Sequence, residues 1–185
     1  MASALQLAAA ARALAAGGII AYPTEGVWGL GCDAYNAGAV SRLLQLKRRD
    51  WRKGLIVVGA DFEQLRPLLR APSRSALRRA LAGWPGPITW VFPAAPAAPP
   101  WLTGAHGSIA VRVTAHAVAG GLCRAFGAPI VSTSANRSGQ PPATGAAAVR
   151  RRFGDALAAV VPGALGGLSR PTPVRDAVSG ALLRR

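Results

Sequence analysis

The sequence predicts an α/β fold: a single domain over residues 1–185, with a twisted sheet of mixed parallel and antiparallel strands and flanking helices. Three observations lead there. Short apolar runs rich in Ile and Val alternate with amphipathic helical stretches. Several successive strands have no helix between them, which a purely parallel sheet would require. No internal repeat or linker breaks the chain. At 185 residues it can bury a substantial core. A hydrophobic share of 51% against 16% charged residues describes a globular chain, not a disordered one.

In chain order, Ser3 caps an Ala-rich helix that ends at Gly17-Gly18. Gly18 to Tyr22 reads as a buried strand that stops at Pro23. Pro23-Thr24-Glu25-Gly26 then forms a polar loop at the strand's C-terminal end, where open α/β sheets collect ligands. Val27 to Cys32 carries glycines that permit close backbone approach. Asp33 or Asn36 opens a helix whose apolar face holds Val40, Leu43 and Leu44 and which runs to Lys47. Leu55 to Val58 is the next strand. Asp61 caps a short helix, and Ser73 or Ser75 caps another that ends near Gly83. Trp84 to Pro93 is a turn leading into a strand, and residues 94–103 form a Pro/Ala loop. Ser108 to Val113 is a strand whose alternation places Ser108, Ala110 and Arg112 on one face. A helix over 115–126 precedes the strand Pro129 to Ser132, which runs into Thr133-Ser134-Ala135-Asn136. A Gly/Pro loop over 137–143, a helix to Phe153 and short strands near 160–161 and 174–177 complete the series.

The formal charge of +15 calls for an anionic partner: a nucleotide, a nucleic acid or an acidic surface. The only two lysines, Lys47 and Lys53, bracket Arg48, Arg49 and Arg52. That cluster is either a solvated helix end facing the helix dipole or an anion site. Hydroxyls end two other apolar strands, at Thr24 and at Ser132-Thr133-Ser134. They offer neutral hydrogen bonds to phosphate or carboxylate groups, or simply close turns on their own backbone. Arg112 lies between apolar neighbours in a core strand. An unpaired charge there would cost several kcal/mol, so it needs a carboxylate from the protein or from a ligand.

Other chemistries lack their residues. Cys32 and Cys123 are far apart, and His106 and His116 are isolated, so no metal-binding spacing arises and surface or capping roles suit the histidines. Phosphate-loop, dinucleotide-binding and nucleophile-elbow motifs are missing, and paired acids for proton transfer are not evident. What is left is a cationic, hydroxyl-lined site suited to positioning anions and stabilising their charge. The N-terminal segment has no basic region followed by a Leu-rich core, and no apolar run reaches the ~20 residues of a membrane helix. The expectation is a soluble cytoplasmic chain with thiols that mainly pack.

Taken in order, five segments resemble the threonylcarbamoyl-AMP synthase family, the YrdC/TsaC group. They are Ala21 to Cys32, Leu46 to Arg49 with Lys53-Gly54-Leu55, Trp84 to Thr89, Ser108 to Val113, and Ser132 to Asn136. The resemblance covers nearly the whole chain and is to the short form, without the extra domain of longer relatives. It implies a sheet built around a deep basic cavity. It also implies conversion of L-threonine, bicarbonate and ATP to threonylcarbamoyl-AMP and pyrophosphate, an intermediate that downstream proteins transfer to the adenosine beside the anticodon of certain tRNAs.

By the same resemblance Lys47, Arg49 and Lys53 form the catalytic triphosphate clamp. Ser108, Ser134, Asn136 and Arg184 belong to the ATP site, with Asn136 fixing the Ser134 loop. Thr24, Ser132 and Thr172 line the threonine site, and Arg112, taken as having no protein partner, receives threonine's carboxylate. Mg²⁺ arrives on the phosphates without a carboxylate cage. Four departures stand out: Asp50-Trp51 replaces Pro and a small residue; Gly54 replaces Pro; Gly26 and Val58 replace Thr and His threonine contacts; and Thr172-Pro173 replaces a Ser-Thr pair. A competing function is an RNA-binding or ribosome-maturation module, with tRNA or double-stranded RNA on the basic surface. Its weakness is an aromatic share of 6% and no stacking motif. A nucleotide sensor without turnover is the third possibility.

Overall fold

A computed structural model describes residues 2–168 and 171–184. Helix α1 (Ala4–Ala15) starts where expected: the Ser3 hydroxyl accepts from the Gln6 N–H while the Gln6 side chain accepts from the Ser3 N–H. Strands β1 (Ile20–Pro23) and β2 (Trp28–Gly31) follow as an antiparallel hairpin. Strand β2 carries two glycines, a residue depleted in strands, so its pattern does not announce it. The packing explains the choice: a Cβ at Gly31 would lie 2.5 Å from the Val131 carbonyl oxygen. Asn36 caps α2 (Ala37–Lys47), and Trp51–Lys53 forms a 3-10 turn. Then come β3 (Ile56–Gly59), α3 (Phe62–Leu65) capped by Asp61, and α4 (Arg74–Leu81) capped by Ser73. Strand β4 (Thr89–Pro93) leads to α5 (Pro100–Thr103), one turn of helix inside a stretch that composition alone presents as loop. Pro100 supplies the φ of a first helical residue at no cost in hydrogen bonds. Strand β5 (Ser108–Val113), α6 (Ala117–Phe126), β6 (Ile130–Ser134), α7 (Ala146–Phe153), β7 (Ala159–Val160), β8 (Val174–Asp176) and β9 (Leu182–Arg184) complete the order.

The strands form one mixed sheet in the order β7-β1-β2-β6-β3-β5-β4-β8-β9. Pairs β1–β7, β3–β5 and β4–β8 are parallel, and the other neighbours are antiparallel. Residue alternation divides the sheet's two faces. Ala21, Leu30, Val57, Val111, Phe92 and Val131 face a larger core with residues of α2, α4 and α7. Ile20, Tyr22, Val58 and Ile130 face the other way, against Leu14 of α1 and Leu122 of α6. Each of the Val, Leu and Ile side chains among these is fully buried, which contributes about 1.5–3 kcal/mol apiece. Continuing the same alternation past the α1–α6 cover brings up Thr24, Gly29, Ile56, Ala110, Arg112 and Ser132, which line a cavity. One face of the sheet is thus covered over one part and open over the other.

Cys32 and Cys123 are free and buried, and burial pushes both thiols up to about 12, as packing residues would show. No helix among the described residues is long and apolar enough to cross a membrane.

Candidate active site

The open part of that face is a cavity of ≈ 520 Å³, within the roughly 300–1,000 Å³ of small-molecule sites. Strand ends and turns supply its walls. Thr24 follows β1; its hydroxyl donates to the Val27 carbonyl at 2.7 Å and closes the hairpin turn, leaving its lone pairs free. Gly29 opposite packs closely, because a Cβ there would stand 3.2 Å from the Thr24 methyl, a tight contact. Strand β5 contributes Ser108, Ala110 and Arg112, strand β6 contributes Ser132, Thr133 and Ser134, and β9 contributes Arg184.

The Lys47–Lys53 segment divides by geometry. Arg48 takes a left-handed conformation (φ 51°) and turns the chain at the end of α2. Arg49 then lies against the cavity, its Nη2 donating to the Gly54 carbonyl at 2.9 Å while its buried Nε has no partner. Lys53 lines the same wall, exposed, and Arg52 points to Trp51 and solvent. Gly54 has φ +63°, which proline cannot reach, so the backbone here follows a path closed to proline.

Lys47 does not line the cavity. Only 3% exposed, its ammonium donates to the Ser134 carbonyl and, at 2.7 Å, to the Asn136 carbonyl. Asn136, also outside the cavity, accepts from the Ser134 hydroxyl at 2.5 Å and donates to the Gln140 carbonyl at 2.6 Å. The expectation of Lys47 in a phosphate clamp is therefore replaced by a strut that fixes the Ser134–Asn136 turn. Burial, with Arg49 adding repulsion, lowers the Lys47 ammonium from 10.5 to about 8. Between those values the native state binds fewer protons than the unfolded one, so stability rises with pH across that window and the penalty is complete below it. The buried thiols act oppositely above 9, since they ionise more readily when unfolded. The difference between the native chain and Lys47→Met isolates the lysine. That gap should move in the native chain's favour by about 3 kcal/mol from pH 8 to 10.5 in urea titrations. A pH-independent gap would reject the strut's charged burial.

Arg112 corrects a second expectation. It is 4% exposed and has a protein carboxylate: its Nη2 lies 3.2 Å from Glu25 Oε2, with Glu25 itself 6% exposed. Nη1 donates to the Thr172 hydroxyl at 2.7 Å and to that of Thr89 at 3.3 Å. Glu25 Oε1 accepts from the Thr114 hydroxyl at 2.6 Å. Composition offered a signal for Glu25, because a buried Arg needs an acid and the chain has only 7 acidic residues. Thr89 and Thr114 carried no such signal. His106 stands exposed at the cavity rim, and His116 caps α6 through Nδ1. Gly26 lines the cavity, whereas Val58 is fully buried on the α1–α6 side and can make no ligand contact.

No acidic side chain lines the cavity among the described residues, while Arg49, Lys53, Arg112 and Arg184 do. Burial lowers the Arg49 guanidinium, with Arg184 as the next cause; Arg184 is lowered by burial and then by Arg112. Arg184 therefore stands within electrostatic reach of both other guanidiniums. Such a concentration of like charge is stabilised by polyanions, and the flanking hydroxyls add neutral donors. No group of three or more His, Cys, Asp or Glu residues suited to a metal occurs among the described residues.

Residues 12–185 match the profile of the Sua5/YciO/YrdC family, described as telomere recombination. The chain is 56% identical over 176 residues to the threonylcarbamoyl-AMP synthase of Halorhodospira halophila, covering 95% of this chain and 92% of that one. It is 52% identical to that of Methylococcus capsulatus, with 98% of each covered. Among solved structures, P. abyssi Sua5 complexed with L-threonine superposes with a TM-score of 0.92 at 34% identity, over 98% of this chain and 54% of that one. The present chain thus spans about half of that protein. E. coli YciO shares the fold, with a TM-score of 0.88 at 22% identity. The chain belongs to the Sua5/YciO/YrdC family.

Proposed function

We propose that the chain is a threonylcarbamoyl-AMP synthase acting as a nucleotidyltransferase, which converts L-threonine, bicarbonate and ATP to threonylcarbamoyl-AMP, pyrophosphate and water. The observation that carries this is one cavity holding two kinds of anion site. Arg49, Lys53 and Arg184 suit a polyphosphate, while Arg112 with the Thr172 and Thr89 hydroxyls suits a carboxylate. The relatives' name and the threonine-bound neighbour support the same substrates.

In this mechanism the threonine amine adds to bicarbonate and water leaves, giving a carbamate. A carbamate oxygen then attacks the α-phosphate of ATP, the bond to the β-phosphate's bridging oxygen breaks, and pyrophosphate departs. Arg112, with Thr24, Ser132 and Thr172 nearby, orients threonine. Arg49, Lys53 and Arg184 offset the repulsion between carbamate and triphosphate and the charge that develops on the leaving oxygens. Ser108 donates to a phosphate or ribose oxygen, Ser134, its proton already on Asn136, accepts from a ribose hydroxyl, and Lys47 and Asn136 hold the Ser134 turn in place. Among the described residues the cavity offers hydroxyls but no carboxylate, so Mg²⁺ would come with the nucleotide substrate and would be held by its phosphates and by water, where it would neutralise charge on the triphosphate. The product, an activated acyl adenylate, is then consumed by tRNA-modifying proteins.

The test is pyrophosphate release with ATP, threonine and bicarbonate, omitting each in turn. Release should need all three. Release without threonine, or binding of nucleotide with no turnover, would overturn the assignment.

A further inference from the structure

Glu25 poses a question that the reaction above leaves open: why does a carboxylate-binding arginine already own a carboxylate? The answer lies in what else the cavity must handle. Three of its four cations attract polyphosphate, and an uncompensated Arg112 would be a fourth. Phosphate, pyrophosphate or a second nucleotide would then compete for the amino-acid end. Glu25 removes that attraction. It places a full negative charge 3.2 Å from Nη2, in a pocket where both groups are buried and water screens little. Within the guanidinium, Nη1 is committed to Thr172 and Thr89, while Nη2 faces Glu25 as an ion pair. Nε is the donor without a partner.

We propose that Glu25 is a specificity-determining residue that acts through Arg112: it makes the amino-acid end of the cavity nearly neutral, so that this end accepts a zwitterion and excludes phosphates. The inference rests on the proposed binding of the amino acid's carboxylate at Arg112. Thr114 supports Glu25 from behind, donating to Oε1 at 2.6 Å and accepting from the His116 N–H at 3.0 Å. This geometry gives a clean variant. In Glu25→Gln the amide oxygen can face Arg112 and the amide N–H₂ can donate to Thr114, whose hydroxyl rotates, so shape and hydrogen bonds persist while the charge is lost.

The experiment is calorimetric titration of threonine with inorganic phosphate present or absent, in the native chain, Glu25→Gln and Glu25→Asp. Threonine and phosphate should bind together, without competition, in the native chain. In Glu25→Gln phosphate should become a competitor of threonine, with its affinity for that site raised at least about tenfold, the equivalent of ~1.4 kcal/mol. Glu25→Asp, which keeps the charge, should restore exclusion; a merely structural role would weaken threonine binding without changing which anion competes. Competition by phosphate in the native chain overturns the proposal whether or not the variants fold, as does a folded Glu25→Gln that still excludes it. Failure of the native chain to bind threonine at all would instead remove the functional reading beneath it.

Discussion

Arg49→Ala or Lys53→Ala should lower kcat/KM for ATP by about 10²–10³-fold, the usual loss when one preorganised charge donor is removed from a transition state. Neither change should unfold the protein. Lys53 is exposed and its side chain makes no hydrogen bond among the described residues, so its removal should stay within about 0.5 kcal/mol of native stability. Arg49 loses one bond to the Gly54 carbonyl. Its removal also deletes an unpartnered buried Nε and relieves repulsion with Arg184. These opposed effects should hold the thermal midpoint within about 4 °C of native. Pyrophosphate release and a melting curve decide the matter together: normal release in either variant, or loss of release only through unfolding, removes these residues from the triphosphate site.

Arg112→Leu should be among the most destabilising single changes in the chain. It keeps much of the packing volume but strands Glu25 as a buried charge with only the Thr114 hydroxyl to satisfy it. Breaking a buried pair from one side costs about 3–5 kcal/mol, on the order of 10 °C in melting midpoint for a domain of this size. The double variant Glu25→Gln/Arg112→Leu removes the stranded charge and should recover most of that loss. Urea titrations of the native chain, the two single variants and the double variant measure the coupling. A double variant no more stable than Arg112→Leu would show that the two groups do not compensate each other. Neither Arg112 variant should use threonine, so stability and activity separate in the double.

The fold was legible where local chemistry decides it. Ser3, Asn36, Asp61 and Ser73 all cap helices as their residue types suggest, and the alternation in Ser108–Val113 places Arg112 on the cavity face. Strand β2 hid behind Gly29 and Gly31, whose purpose is clearance from Thr24 and Val131, atoms brought near only by the tertiary fold. Strand β9, with its exposed Leu182 and Leu183, pairs with β8 at the sheet edge and had no local pattern to mark it. The site divides in the same way. The family resemblance points to Arg49, Lys53, Ser108, Arg112, Ser132, Ser134, Thr24, Thr172 and Arg184, and all of them line one cavity. Charge alone could not show that Lys47 turns inward, because its acceptors are the backbone carbonyls of Ser134 and Asn136, which any residue possesses. Nor could it show Glu25 beside Arg112, a contact between loops and strands distant in sequence.

The Lys47 strut has a consequence for how the molecule comes to be. It joins residues 87 and 89 positions apart, and Glu25 reaches across 89 positions to Thr114. Closing such wide loops loses entropy before any contact repays it, and chains dominated by distant pairings fold slowly. The cavity's cations come from the same distant parts, so a half-folded chain carries its charge dispersed. Polyphosphate affinity therefore emerges late, as a property of the finished topology. In a refolding experiment, nucleotide binding should appear with the last cooperative phase and not with early helix formation.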